Sequence, residues 1–443
     1  MQQLVILGAA ESGVGAAILA QQKGYSVFVS DMGTIKERYK AQLDAHALAW
    51  EEGQHTAERI LAADLVIKSP GIPDDAPMVR QVREKGIEVI SEIEFAGRYT
   101  TARKICITGS NGKTTTTSLI YHILERAGFN VGLAGNIGRS MALQVAEGDK
   151  DWYVIELSSF QLDDMFDFRA EVAVLLNITP DHLDRYNFEM QRYVHSKMRI
   201  TRNQQAGDSF IYWMGDDYIP SQLDTHIRHQ QVLPFADAED AQAAAYCTAT
   251  DLVVRIPEPF RMAIADLSLS GKHNLRNCMS AALAALKAGV SHDVLRSALM
   301  DFPGVEHRLE KVGTFGGIYY INDSKATNVD ATYCALEAMT TPTILIVGGK
   351  DKGNDYTPLY DLVKDKCRAL VYLGADNAKL HDAFDHLGLP TADTHSMADC
   401  VMACRELAQV GDTVLLSPCC ASFDLFRNME DRGEQFKTLV RQD

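Results

Sequence analysis

Residues 104–115 read K-I-C-I-T-G-S-N-G-K-T-T, and no other stretch of the chain restricts its possible folds as strongly. The pattern is a buried strand, a tight glycine turn, and then a lysine and a hydroxyl where a helix starts, which is how nucleotide phosphates are held on free helix N–H groups. Gly109 and Gly112 let the backbone approach the phosphates, with Ser110, Asn111 and Thr115 in the same turn. Lys113 offers a cation to the β/γ oxygens and Thr114 a hydroxyl to Mg²⁺. Leu119, Ile120, Ile123, Leu124 and Ala127 then fall on one helical face, and Gly128 stands where a C-terminal cap belongs. The turn departs from G-x-x-x-x-G-K-[ST], because Ile107 occupies the place of the first glycine.

A chain of 443 residues is too long for one ordinary core and predicts roughly three domains. Its 43 basic and 59 acidic residues give a formal charge of −16 without a basic block, which disfavours nucleic acid as a partner. Any phosphate site must therefore be local, built from glycines, helix ends, a few cations and Mg²⁺. Apolar runs fall short of the ~18 residues of a membrane span, and the N-terminus lacks a basic region followed by an apolar core, so a cytoplasmic enzyme is expected. Nine cysteines without C-x-x-C spacing read as reduced packing residues.

Taken in order, residues 3–7 form an apolar strand, followed by G-A-A-E-S-G-V-G, a helix ending at Lys23-Gly24, and a strand closed by Asp31. This is a βαβ opening of Rossmann type, although Ala10 replaces the second glycine of G-x-G-x-x-G, which argues against a dinucleotide cofactor. Strands at 65–67 and 88–90 complete a first domain, 1–92, with Ser69-Pro70-Gly71 after the earlier of them. In a central domain, 93–303, the strand at 152–157 carries Glu156 near its end, either a Mg²⁺ ligand or a capping carboxylate. The strand at 172–177 runs into T-P-D-H-L-D-R-Y, where His182 fits a helix cap or a metal or phosphate ligand equally. Lys197 lies in a helical segment and by itself passes as a solvated lysine. Asn274 and Asn277, three apart before an alanine-rich helix, suit an adenine edge or N-caps.

From residue 304 the pattern restarts, with strands at 317–321, 343–347, 369–373 and 413–416 separated by helical stretches, as in a doubly wound sheet. Polar clusters follow three of them, at 322–328, 348–353 and 417–424, where the ligands of parallel sheets bind. The expected fold is thus α/β in three domains: Rossmann-like, P-loop-type with a mainly parallel sheet, and doubly wound (304–443).

Together, T-G-S-N-G-K-T-T, E-L-S-S-F-Q-L, N-I-T-P-D-H-L-D-R-Y, H-R-L-E, I-N-D-S-K-A-T-N, G-G-K-D-K-G and S-P-C-C-A-S-F-D-L-F resemble the Mur ligases, ATP-dependent amide-forming enzymes of peptidoglycan synthesis. The second and last of these segments favour members that add D-glutamate to UDP-N-acetylmuramoyl-L-alanine. The resemblance implies ATP and two Mg²⁺ ions, a domain each for UDP-sugar, ATP and amino acid, and a monomer. By matched position it places Ser12, Asp31, Met32, Ser69 and Gly71 at the uridine diphosphate, and Asn136, Ser158, Gln161 and His182 on the sugar side. Lys113 and Thr114 would hold phosphate and metal, Glu156 the first Mg²⁺, and His182 with a carbamylated Lys197 the second. Asn274, Asn277, Arg308 and Asp323 map to the nucleotide, and Lys325, Thr327, Lys352, Ser422 and Phe423 to D-glutamate. Met429 stands where the family often has an aromatic. Rival readings are a sister ligase with another amino acid, an NAD-dependent oxidoreductase built on the first βαβ unit, and a non-catalytic scaffold.

Overall fold

The computed structural model describes residues 1–256, 259–351 and 353–442. Among these, the strands form three sheets, two in one compact unit (residues 1–267 and 275–302) and one in a second (268–274 and 303–443).

The first sheet is wholly parallel, with β1 (Gln3–Leu7), β2 (Ser26–Asp31), β3 (Ala49–Glu52), β4 (Leu65–Lys68) and β5 (Glu88–Ile90) in the order 3-2-1-4-5. Strand order reverses beside β1, which opens the crevice between β1 and β4 at their C-terminal ends. Gly8 and Ser69 face one another there: a Cβ on Gly8 would come within 2.5 Å of the Ser69 hydroxyl, and Gly8 has φ +96°. Only glycine satisfies both demands.

The central sheet contains β6 (Arg103–Thr108), β7 (Val131–Gly135), β8 (Trp152–Glu156), β9 (Val172–Leu175), β10 (Ser209–Trp213), β11 (Gln231–Ala236), β12 (Ala245–Cys247), β13 (Asp251–Val254) and β14 (Phe260–Ala263). Its order is 14-13-12-11-10-9-6-8-7, parallel except for the antiparallel pairs β12–β13 and β13–β14. Strands β8 and β9 are buried throughout and β6 is buried beyond Arg103, as expected of apolar runs covered on both faces. They set the glycine turn, Glu156 and Asn177 side by side at one edge.

Within this unit the first two sheets are joined by close packing. The helix Glu11–Gln22 presses Gly15 onto Ser140, just before the helix Met141–Gly148; a Cβ there would lie 2.1 Å from the Ser140 hydroxyl. Glu92, 4% exposed, caps the second helix by accepting hydrogen bonds from the Ser140 hydroxyl (2.7 Å) and the Ala142 N–H (2.6 Å). Burial raises its carboxyl to about 7. The folded state therefore keeps a proton that the unfolded chain releases from about pH 4.5 upward, so stability falls as pH rises through about 7. At about 1.4 kcal/mol per unit, Glu92→Gln is expected to stabilise the protein by about 1–3 kcal/mol at pH 8 and by little at pH 5, measured as melting midpoints across that range.

The second unit holds β15 (Glu310–Phe315), β16 (Ile318–Asn322), β17 (Thr343–Gly348), β18 (Cys367–Leu373), β19 (Thr391–Thr394) and β20 (Thr413–Cys419), in the order 15-16-20-17-18-19. All neighbours are parallel except β15–β16. Since β20 lies between β16 and β17, the three polar clusters expected after these strands adjoin one another. Eight of the nine cysteines are buried, including the helical pair Cys400 and Cys404, which agrees with a packing role.

Candidate active site

The glycine turn is shaped by its neighbours as much as by its own residues. Gly109 (φ +151°) and Gly112 (φ +85°) take conformations that disfavour other residues. The Asn177 side chain then acts as a surrogate backbone strand, accepting from the Asn111 N–H (2.8 Å) and donating to the Asn111 carbonyl (3.0 Å). The Ser110 hydroxyl donates to the Thr179 carbonyl (2.8 Å) and contacts the Tyr193 hydroxyl at 3.1 Å. The helix Lys113–Arg126 starts at Gly112, so its first N–H groups point into the loop.

Two lysines converge on this turn. Lys113 Nζ donates to the Gly109 and Ser110 carbonyls at 2.8 and 2.9 Å, and Lys197 Nζ donates to the same Gly109 carbonyl at 2.8 Å. Lys197, only 2% exposed, is not the solvated lysine that its segment alone allows. It lies in the helix Met190–Met198, with its ammonium 4.6 Å from the centre of the Tyr193 ring. Burial drives its pKa well below the ordinary ammonium range and the charge of Lys113 adds to this, with Asp181 and Asp163 opposing.

Glu156 ends β8, in register with Ile107 on β6 and Gly135 on β7. One carboxylate oxygen accepts from the Asn136 amide at 2.8 Å; the other, Oε2, is buried without a hydrogen-bond partner. A carboxylate oxygen left bare inside a protein is costly unless a cation meets it. Thr114 is buried in the first helical turn, and a Cβ on Gly135 would strike the Glu156 carbonyl at 2.1 Å, which keeps this corner tight. His182 has φ +53°, lies edge-on to Phe160 (5.3 Å) and is 3.6 Å from Asp181.

In the second unit Asp323 follows β16, accepting from the Ser417 hydroxyl (2.9 Å) and the Leu309 N–H (3.2 Å); burial raises it to about 6. Arg308 Nε is buried without a hydrogen-bond partner. The residue that sequence reading missed here is Arg432. Its guanidinium, 1% exposed, donates to the Ser324 hydroxyl (3.0 Å), the Ser324 carbonyl (2.8 Å) and the Cys420 carbonyl (3.1 Å). It thereby pins the loop bearing Lys325 and Thr327 to the loop bearing Ser422. The signal was its place in the helix Met429–Arg441, where Arg432, Phe436 and Val440 share one buried stripe. Glu306, His307 and Glu434 could group around a metal ion, but Lys437 already binds both glutamates.

Residues 3–78 match the MurD N-terminal domain, 107–285 the Mur ligase middle domain and 307–420 the Mur ligase glutamate ligase domain. A UDP-N-acetylmuramoylalanine--D-glutamate ligase of Bacteroides fragilis is 59% identical over 443 residues, covering 100% of both chains. The chain belongs to the Mur ligase family. Another relative bearing the same name, from Porphyromonas gingivalis, is 55% identical over 440 residues, spanning 99% of this chain and 98% of its own. Among solved Mur ligase structures, MurC of Thermotoga maritima aligns with a TM-score of 0.62 at 16% identity, over 100% of this chain and 99% of that one. MurF of Acinetobacter baumannii gives 0.64 at 16%, over 99% and 93%. At such identities these likenesses speak for the fold.

The remaining expected residues of this Mur ligase lie as follows. Asp31 accepts from the Ala9 and Gly33 N–H groups (2.7 and 2.8 Å); Ser12, in the first turn of the helix Glu11–Gln22, is half-buried and Met32 is exposed. Gln161 and Ser158 cap the helix Ser159–Asp163 reciprocally, Ser158 N–H donating to Gln161 at 2.9 Å. Asn274 and Asn277 are not N-caps, because their helix starts at Lys272: Asn274 donates to the Ser270 carbonyl (2.9 Å), and Asn277 accepts from Thr116 (3.2 Å). Ser422 is buried and Phe423 exposed; Lys352 lies outside the described residues. Among the described residues, no helix is long and apolar enough to cross a membrane.

Proposed function

We infer that this Mur ligase joins D-glutamate to UDP-N-acetylmuramoyl-L-alanine at the expense of ATP, as a monomeric cytoplasmic enzyme with residues 1–92 for the UDP-sugar, 93–303 for ATP and 304–443 for the amino acid. The observation that carries the reaction class is the convergence of Lys113 and Lys197 on one glycine turn, with the bare Glu156 oxygen at the end of the strand paired to β6.

A carboxylate resists attack by an amine because its oxygen leaves poorly. Transfer of the γ-phosphoryl group supplies a better leaving group: a substrate carboxylate oxygen bonds to phosphorus, the bridge to the β-phosphate breaks, and ADP departs. The D-glutamate amine then attacks the acyl carbon, loses a proton, and phosphate leaves from the tetrahedral adduct. Lys113 and the helix N–H groups hold the γ-phosphoryl oxygens, which is most of what phosphoryl transfer asks of a protein. Thr114 and Glu156 would hold one Mg²⁺, and His182 with Lys197 would hold a second if Lys197 carries a carbamate. Its depressed pKa favours the neutral amine, which adds to CO₂ and releases a proton to leave an anionic oxygen ligand. When bound, the ions neutralise phosphate oxygens so that two anions can meet. Asp323, Arg308, Asn274 and Asn277 serve the nucleotide; Lys325, Thr327, Lys352, Ser422 and Phe423 serve D-glutamate.

The test is ADP release with the UDP-sugar and a panel of amino acids. D-glutamate is expected to exceed L-glutamate, L-alanine and diamino acids by about 10²-fold or more, as for a site that pairs every polar group of its own substrate. Equal rates with L-alanine or a diamino acid would move the chain to a sister activity.

A further inference from the structure

Lys68 ends β4 with a side chain only 1% exposed, directly before Ser69-Pro70-Gly71. Its ammonium donates to the Ile72 carbonyl at 3.0 Å and lies 3.0 Å from Asp164, itself 3% exposed, and 3.4 Å from Asp74. Asp164 directly follows the helix Ser159–Asp163. Its N–H donates to the Gln161 carbonyl (3.2 Å), its carbonyl accepts from the Ser91 N–H (2.9 Å), and its carboxylate also takes Arg83 at 2.7 Å. One buried ammonium thus ties the loop at the β1–β4 crevice, in the first sheet, to the helix carrying Ser158 and Gln161, in the central sheet.

We propose that Lys68, through Asp164, is a positioning residue for the UDP-sugar: it fixes the spacing between the segment that holds the diphosphate and the segment that meets the sugar. The proposal rests on the functional reading above. A buried ion pair adds little net stability over apolar residues of equal volume, so its contribution is geometric. The loop on one side and the helix on the other cannot drift apart without separating Lys68 from Asp164 or from Ile72. Neither residue reaches the glycine turn, so the effect is confined to one substrate.

The experiment is steady-state kinetics of full-length Lys68→Met, Asp164→Asn and the double variant, each substrate varied in turn, with melting curves to establish folding. For Lys68→Met the KM for UDP-N-acetylmuramoyl-L-alanine is expected to rise about tenfold, with the KM for ATP and D-glutamate within about twofold and kcat within about threefold. The double variant is expected to be no worse than the poorer single one, because both remove the same tie. A folded Lys68→Met with an unchanged UDP-sugar KM, or with an equal rise in the KM for ATP, overturns the proposal. Should Lys68→Met not fold, Lys68→Arg decides: its planar fork keeps the charge but not the ammonium geometry, so a UDP-sugar KM raised about threefold supports the role and an unchanged one overturns it. Calorimetry separates the levels: a wild type that binds no UDP-sugar overturns the functional reading along with this one, whereas equal binding by wild type and Lys68→Met overturns the positioning role alone.

Discussion

Lys113→Ala is expected to lower ADP formation by about 10³-fold, the loss typical when a preorganised charge is removed from a transferring phosphoryl group. Lys113 Nζ is held over the glycine turn by the Gly109 and Ser110 carbonyls, so the charge is in place before substrate arrives. Alanine keeps the helix, being its best former, and should leave the melting midpoint nearly unchanged. Lys113→Arg tests geometry apart from charge: a planar fork cannot replace a compact ammonium between two carbonyls, and most of the loss should remain. Near-normal turnover by Lys113→Ala would remove the phosphate role.

The second large effect has opposite signs in two assays. Lys197→Met is expected to cut turnover by about 10²–10³-fold through loss of the second charged ligand at the phosphate site. In buffer freed of CO₂, where Lys197 is an unmodified amine, it should at the same time raise the melting midpoint at neutral pH. The sign follows from burial: the folded pKa of Lys197 lies well below that of the unfolded chain, so the unfolded state binds the extra proton and the native state is penalised until pH exceeds the unfolded value. Methionine fills a similar volume without that penalty, losing one hydrogen bond to Gly109. Wild-type turnover in Lys197→Met would end the carbamate reading. A fall in both activity and midpoint would mean that the amine is chiefly structural.

How much of this was legible in the sequence depended on the range of each contact. The glycine turn was legible because strand, turn and helix are consecutive, and Glu156 because parallel sheets place strand ends together. The clusters after β16, β17 and β20 were recognisable for the same reason, although their adjacency needed the strand order. The short strands β12, β13 and β14 went unread: runs of 3–4 residues carry too little periodicity. Lys197 looked ordinary because a lysine in a mixed polar and apolar helical segment is usually solvated, yet Tyr193 and Lys197 are four apart on one helical face, and that face proved to be the buried one. Arg432 and Lys68 repeat the lesson, each being a cation on an apolar stripe or strand whose partners lie 12 to 108 and 4 to 96 positions away.

The most direct test follows the oxygen atoms. UDP-N-acetylmuramoyl-L-alanine carrying oxygen-18 in its alanyl carboxylate is turned over with ATP and D-glutamate, and the inorganic phosphate is examined by mass spectrometry. If the turn at Gly109 delivers the γ-phosphoryl group to that carboxylate, each amide formed leaves one labelled oxygen in phosphate. Phosphate free of label, with amide still accumulating, would contradict it.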